Sequence, residues 1–221
     1  MTIFWSFNDT CSNSMARNLE ISTAYARLIL RSEWLTPAAA LAGTRVTAID
    51  LEREDFIPWE TLALMFNNLE RAQPGRAWAP ALGALFNISS HGPLGFAALS
   101  APTLGAALAV LGNLYPARNS AMRIEEGEAE RRYFLFLDDL TGDAVFGERM
   151  AQVVMRIAES LLATILGHPV GHNVEVRFTG PPPPRPGKLY GDLPGTGHLR
   201  RPPRVHFPAG HLVCTALPPA R

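Results

Sequence analysis

Two cysteines in 221 residues, Cys11 and Cys214, and a single lysine, Lys188, are the first scarcities of this chain. Neither cysteine belongs to a C-x-x-C pair, which excludes a zinc knuckle and a thioredoxin-like redox motif by count. Free thiols in a reducing cytosol are the simpler expectation, a long-range disulfide the alternative. Net charge is missing too, because 20 basic residues balance 20 acidic ones. A free-standing nucleic-acid binder clusters Lys and Arg against phosphate. Here the 19 arginines are scattered, apart from Arg131 and Arg132 and the group Arg200, Arg201 and Arg204. A DNA-reading face is therefore not expected on these residues. No run approaches the ~18 apolar residues of a membrane span. The N-terminus has neither the charged start nor the apolar stretch of a signal peptide. The expectation is a cytoplasmic protein with no membrane contact.

What is present is a globular composition, 47% hydrophobic and 18% charged. A chain of this length buries roughly 70% of its extended surface on folding, enough for one full domain. Proline divides it unevenly, with twelve of the 19 lying from His168 onward. The first three quarters can be helical and the last quarter cannot. Residues 1–18 read as a flexible leader. Residues 19–218 read as one domain, helical over about 19–112, with a sheet and a long helix over about 118–218.

Ile21, Tyr25, Leu28 and Ile29 recur at helical spacing, with Ser22 as the expected cap. Thr36-Pro37 opens a short helix that Gly43 closes. Pro58 opens another, carrying Leu62, Met65, Phe66 and Leu69, and Trp78, Leu82, Leu85 and Phe86 mark a fourth. His91 to Gly95 reads as a tight turn, and Ser100 to Thr103 caps a helix with Leu104, Leu108 and Leu111. Two alternating segments, Ser120 to Glu126 and Arg132 to Leu137, predict a hairpin turning at Gly127. The strongest periodicity runs from Asp143 to Leu166, through Phe146, Met150, Val153, Val154, Ile157, Leu161 and Ile165, and stops at Gly167. That helix is expected to pack on the sheet, with Glu148 and Arg149 capping or solvating its first turn. Val174 to Phe178, Arg204 to Phe207 and Leu212 to Leu217 are further strand candidates. The order predicts an α+β fold: an N-terminal helical layer, then an antiparallel sheet packed against a long helix.

Catalytic and cofactor signatures are scarce. There is no G-x-x-x-x-G-K-[ST] and no complete dinucleotide fingerprint around Gly195-Thr196-Gly197. Ser89, Ser90 and His91 adjoin without a G-x-S-x-G elbow. His168 and His172 are spaced as in a zincin but are separated by Pro169 and Gly171, and His206 and His211 have no carboxylate or cysteine beside them. No enzyme, cofactor or metal is expected. The apolar aromatics Trp59, Trp78, Phe86 and Phe96 are candidates either for core or for the wall of a ligand site. Tyr190, Arg132 and His206 each neighbour a predicted strand and are the candidate polar contacts for a ligand between sheet and helices.

Several segments together carry a resemblance. Ala24-Tyr25-Ala26-Arg27, Leu41-Ala42-Gly43 and Ile57-Pro58 precede Gly92-Pro93-Leu94-Gly95-Phe96-Ala97 and Ser100-Ala101-Pro102-Thr103-Leu104-Gly105-Ala106-Ala107-Leu108. Val174-Glu175-Val176-Arg177-Phe178, Tyr190, Val205-His206-Phe207 and Leu212 to Pro218 follow. Over residues 20 to 218 this order resembles the N-terminal, arabinose-binding-type, OruR-like domain of bacterial AraC-type transcription regulators. The resemblance implies a sensor that binds a small-molecule effector, self-associates as a homodimer, and controls DNA through a C-terminal helix-turn-helix domain outside these 221 residues. The helix content departs from the cupin-like barrel of the arabinose regulator itself, so a sugar is not implied. A dimerisation module without ligand is the alternative.

Overall fold

Side-chain caps mark where four of the eight α-helices among the described residues begin. In the computed structural model, which describes residues 2–7, 18–129, 132–169 and 175–176, Thr36 accepts a hydrogen bond from the Ala39 amide and Pro37 takes the first position of the helix. Thr47 and Asp50 form a reciprocal capping box. Thr103 accepts from Ala106, and Asp143 Oδ1 accepts from both Val145 and Phe146 at 3.0 Å. Each satisfies amides that the first turn of a helix otherwise leaves unpaired.

The elements in chain order are β1 (Thr2–Phe7), β2 (Glu20–Ser22), α1 (Ala24–Arg31), α2 (Pro37–Ala40), α3 (Ala48–Arg53), β3 (Phe56–Pro58), α4 (Trp59–Ala72) and α5 (Trp78–Ala84). A 3₁₀ turn at Ile88–His91 leads to α6 (Pro93–Leu99) and α7 (Leu104–Leu114). A second 3₁₀ turn at Tyr115–Ala117 leads to β4 (Met122–Ala129), β5 (Arg132–Asp139), α8 (Ala144–Leu166) and β6 (Glu175–Val176). This is the α+β arrangement expected: a helical layer, a hairpin and a long helix.

Three local expectations are corrected. The first helix begins at Ala24 after Thr23, and Ile21 and Ser22 lie in β2, which pairs antiparallel with β3; its first apolar residue follows a strand's alternation instead. His91 to Gly95 is not a simple turn. Gly92 alone makes the reversal, at φ 55°, and Pro93 opens α6. The positive φ suits glycine, and the fixed φ of proline suits a first helical position. The hairpin does not turn at Gly127, which lies inside β4 opposite Phe134; the last pair is Ala129 with Arg132. The alternation simply continues three residues further before the chain reverses.

The larger sheet has the order β4-β5-β1-β6. Its hairpin β4–β5 is antiparallel, but β1 runs parallel to both β5 and β6, so the sheet is mixed. Thr2–Phe7, read from the sequence as part of a flexible leader, is thus an interior strand. Its Thr-Ile-Phe-Trp-Ser-Phe content is strand-forming. The β6 pair Glu175–Val176 falls within the segment Val174 to Phe178 expected as a strand. The candidates Arg204 to Phe207 and Leu212 to Leu217 lie outside the described residues.

The long helix α8 meets the end of β5 near its start, but its principal neighbour is α5 rather than the sheet. The reason is Gly83. A Cβ built there would lie 2.5 Å from the Val153 carbonyl oxygen and 2.7 Å from Arg156 Cβ, so only glycine permits the approach. Phe146, Met150, Ala151, Val153, Val154, Ile157, Leu161 and Leu162 are buried along α8, and Phe66, Leu62, Met65 and Leu69 of α4 complete the same core. Gly167, at φ 73°, ends α8 in the left-handed conformation. Arg149 does not solvate the first turn of α8. It crosses to α4, donating to Asn67 at 2.7 Å and pairing with Glu70 at 3.7 Å.

Candidate functional site

The 3₁₀ turn after α7 carries a polar cluster of the helical layer. Tyr115 lies in that turn, buried, and Arg118 and Asn119 follow it. Their backbone is locked onto β2: the Ser22 amide donates to the Arg118 carbonyl at 2.8 Å, and Asn119 bridges Ile21. Asn119 is fully buried and spends its amide locally, with Nδ2 donating to the Tyr115 hydroxyl at 2.8 Å and Oδ1 accepting from the Ala121 amide at 3.0 Å. Tyr115 interacts in turn with Tyr25 of α1. Burial raises the pKa of Tyr25 and drives that of Tyr115 well above the ordinary phenol value, so both stay neutral.

Arg118 is the charged member. Its Nη2 donates to Ser22 Oγ at 3.0 Å and to the Ser90 carbonyl at 3.2 Å, tying β2 to the 3₁₀ turn before α6. Among the described residues no carboxylate forms an ion pair with it. Its positive charge acts on Tyr25, Tyr115 and His91. His91, only 7% exposed, stacks on Phe86 with ring centroids 5.5 Å apart, and Phe86 packs against Tyr25 at 4.8 Å. Burial first, and the Arg118 charge second, lower the His91 pKa to about 4. At neutral pH the cluster is one cation surrounded by neutral rings. Ser90 does not address His91: its hydroxyl bonds to Asn87 Oδ1 at 3.1 Å, closing the turn.

The residues singled out from sequence are distributed otherwise. Trp59 and Trp78 come together in one aromatic stack, Trp59 against Phe146 at 5.2 Å, Phe146 against Phe66 at 5.7 Å, and Phe66 against Trp78 at 5.0 Å. Trp78 satisfies its indole N–H on Glu70 at 2.7 Å, beneath Arg149. Phe96 is apart from them, 56% exposed on α6. Arg132 begins β5 beside the hairpin reversal. Tyr190, His206 and the arginines 200, 201 and 204 lie outside the described residues. The Arg118 cluster carries no spacing motif. Its one sequence signal is the packing of Tyr, Arg and Asn into five residues after a helix, Tyr115 to Asn119.

Elsewhere, among the described residues, no group of three or more His, Cys, Asp or Glu is placed to hold a metal, and no helix is long and apolar enough to cross a membrane. The family described as the N-terminal arabinose-binding domain of AraC transcription regulators matches residues 35–194. That is more than two thirds of the chain, and the chain belongs to this family of regulatory ligand-binding domains. The matched span includes the Gly92–Ala97 and Ser100–Leu108 segments and Tyr190, while Ala24–Arg27 and the segments from Val205 onward lie beyond it. No curated protein matches the chain.

Proposed function

We propose that the chain is the effector-sensing half of a cytoplasmic AraC-type regulator, binding a small molecule and acting through a DNA-binding domain carried elsewhere in the protein. The observation that carries this reading is Arg118, a half-buried cation with no carboxylate partner among the described residues, tied to both β2 and the turn before α6. A ligand at such a junction binds one arrangement of the two elements better than another, and shifts the population by no more than that difference in affinity. The reading is of a sensor, not a catalyst. Thermal denaturation of the 221-residue chain against a panel of amino acids, organic acids, fatty acids and aromatic metabolites tests it. At least one compound should raise the melting temperature, and a panel without effect would count heavily against sensing.

A second reading, compatible with the first, is self-association. Phe96 and Leu99 lie three residues apart on α6, and both are exposed, giving the helix an apolar outer edge. Light scattering over a concentration series tests it: the chain should dimerise and Phe96→Asp should shift it towards monomer. A strict monomer at every concentration removes the reading.

A further inference from the structure

Resting on the reading of the chain as a sensor, we infer that Arg118 anchors the carboxylate of a small organic monoanion, with His91 and the Tyr25–Tyr115 pair as its neighbours. The guanidinium has five N–H groups. Two on Nη2 are turned to Ser22 and Ser90, and those on Nη1 and Nε have no partner among the described residues. The hydrogen bonds already made satisfy donors but not the charge, because a hydroxyl and a carbonyl are both neutral. A partly desolvated charge is normally paired.

Two further observations narrow the partner. Gly92 faces the free side of the guanidinium: a Cβ there would already touch Nη1, at 3.8 Å. The second is charge balance. His91 and both tyrosines are neutral around neutral pH, so the cluster offers one positive charge. A carboxylate cancels it and matches the planar fork of the guanidinium. A phosphate dianion would leave a second charge uncompensated in the same half-buried place.

The test uses the intact 221-residue chain with benzoate and hexanoate, the matched neutral probes benzamide and hexanamide, and inorganic phosphate. Melting temperature reports binding. The His91 imidazole, assigned in NMR spectra by comparison with His91→Gln, reports location, since a carboxylate on Arg118 cancels the field that helps keep His91 unprotonated. At least one carboxylate should stabilise the chain and raise the His91 pKa, while its amide and phosphate at equal concentration do neither. Arg118→Gln should weaken that carboxylate at least tenfold, and Arg118→Lys should retain part of the affinity. Should either variant fail to fold, the His91 measurement on the unsubstituted chain still decides. The assignment is overturned if amide or phosphate binds as well as the carboxylate, if carboxylates bind without moving His91, or if Arg118→Gln binds them unchanged. A neutral metabolite that stabilises the chain and Arg118→Gln alike would overturn this site and leave the sensor standing. No response to any compound in either panel would bring down both.

Discussion

Asp139 lies against Gly147: a Cβ built on Gly147 would come within 2.8 Å of the Asp139 carboxyl carbon. The end of β5 and the first turns of α8 therefore touch through a missing side chain. Asp139 is 5% exposed, and its Oδ1 accepts from the Thr141 amide at 3.1 Å and from the Thr141 hydroxyl at 2.8 Å, while Oδ2 is buried without a partner among the described residues. Burial raises its pKa. A carboxyl whose folded-state pKa is raised favours folding when protonated. That contribution is complete below the unfolded value near 4 and is lost as pH rises through the folded value. Asp139→Asn should therefore raise the melting temperature at pH 7, with the advantage shrinking to nothing towards pH 4. A variant less stable than the parent at pH 7 would refute this account of the orphaned oxygen.

His91 gives the opposite slope. Its folded-state pKa is lowered from 6.5 to about 4, so the unfolded chain binds the extra proton first. Its contribution is intact above pH 6.5 and is lost as pH falls towards 4, at up to about 1.4 kcal/mol per pH unit. Denaturant titrations between pH 7 and 4.5 should show that decline, and His91→Gln should flatten it.

Gly83→Ala should be among the most damaging single-methyl additions in the helical layer. The new Cβ would meet backbone on α8, at the Val153 carbonyl, and the stem of Arg156. Neither α5 nor α8 can yield without opening the core around Leu82 and Val153. A loss of about 1–3 kcal/mol is expected from overpacking, read as a lower urea midpoint. An unchanged midpoint would mean that the two helices can slide apart freely.

Asp143→Ala removes the acceptor of two amides at the start of α8. A cap of this kind contributes about 0.5–2 kcal/mol, and Asp143→Asn or Asp143→Ser should recover most of it. If alanine and serine are equally stable by thermal melting, the cap is not what starts this helix.

Trp78→Phe keeps an aromatic ring on Phe66 but gives up the indole bond to Glu70. A loss of about 1 kcal/mol is expected for one such bond, whereas Trp78→Ala should cost about 3–5 kcal/mol. Similar melting temperatures for the two variants would show that the ring is not packed.

Helix starts and stops were legible because the signals are local and chemical: Thr36 before Pro37, Thr103, and Asp143 with Gly167 at the far end. The hairpin was legible in existence and not in register, since Gly127 tolerates a strand as readily as a turn once Phe134 lies opposite it. Pro93 was ambiguous for a similar reason, as the same residue punctuates turns and begins helices. The partner of α8 was missed because periodicity tells which stripe is apolar, not what covers it. The polar cluster escaped because its members come from distant stretches: Ser22 and Tyr25, then Ser90 and His91, then Tyr115 to Asn119. Only folding makes Arg118 a neighbour of His91. The expected roles of Trp59, Trp78, Phe96 and Arg132 rested on residue type and nearness to a strand, which carry no information about convergence.

The parallel pairing of β1 also imposes a schedule. Thr2 pairs with Phe134 on one side and with Glu175 on the other, while the small β2–β3 sheet and the α6–α7 pair join near neighbours in the chain. During synthesis at ~5–20 residues per second, Thr2–Phe7 waits roughly 7–26 seconds before β5 exists to receive it. Throughout that interval both edges of an apolar strand stand open, the condition under which strands find the wrong partner. Helices α1 to α7 can form while it waits, but α8, which completes the core of α4 and α5, follows β5 in the chain. The sheet is assembled from both ends of the described chain at once, so errors of maturation are expected to begin at Thr2–Phe7 rather than in the core of α4, α5 and α8.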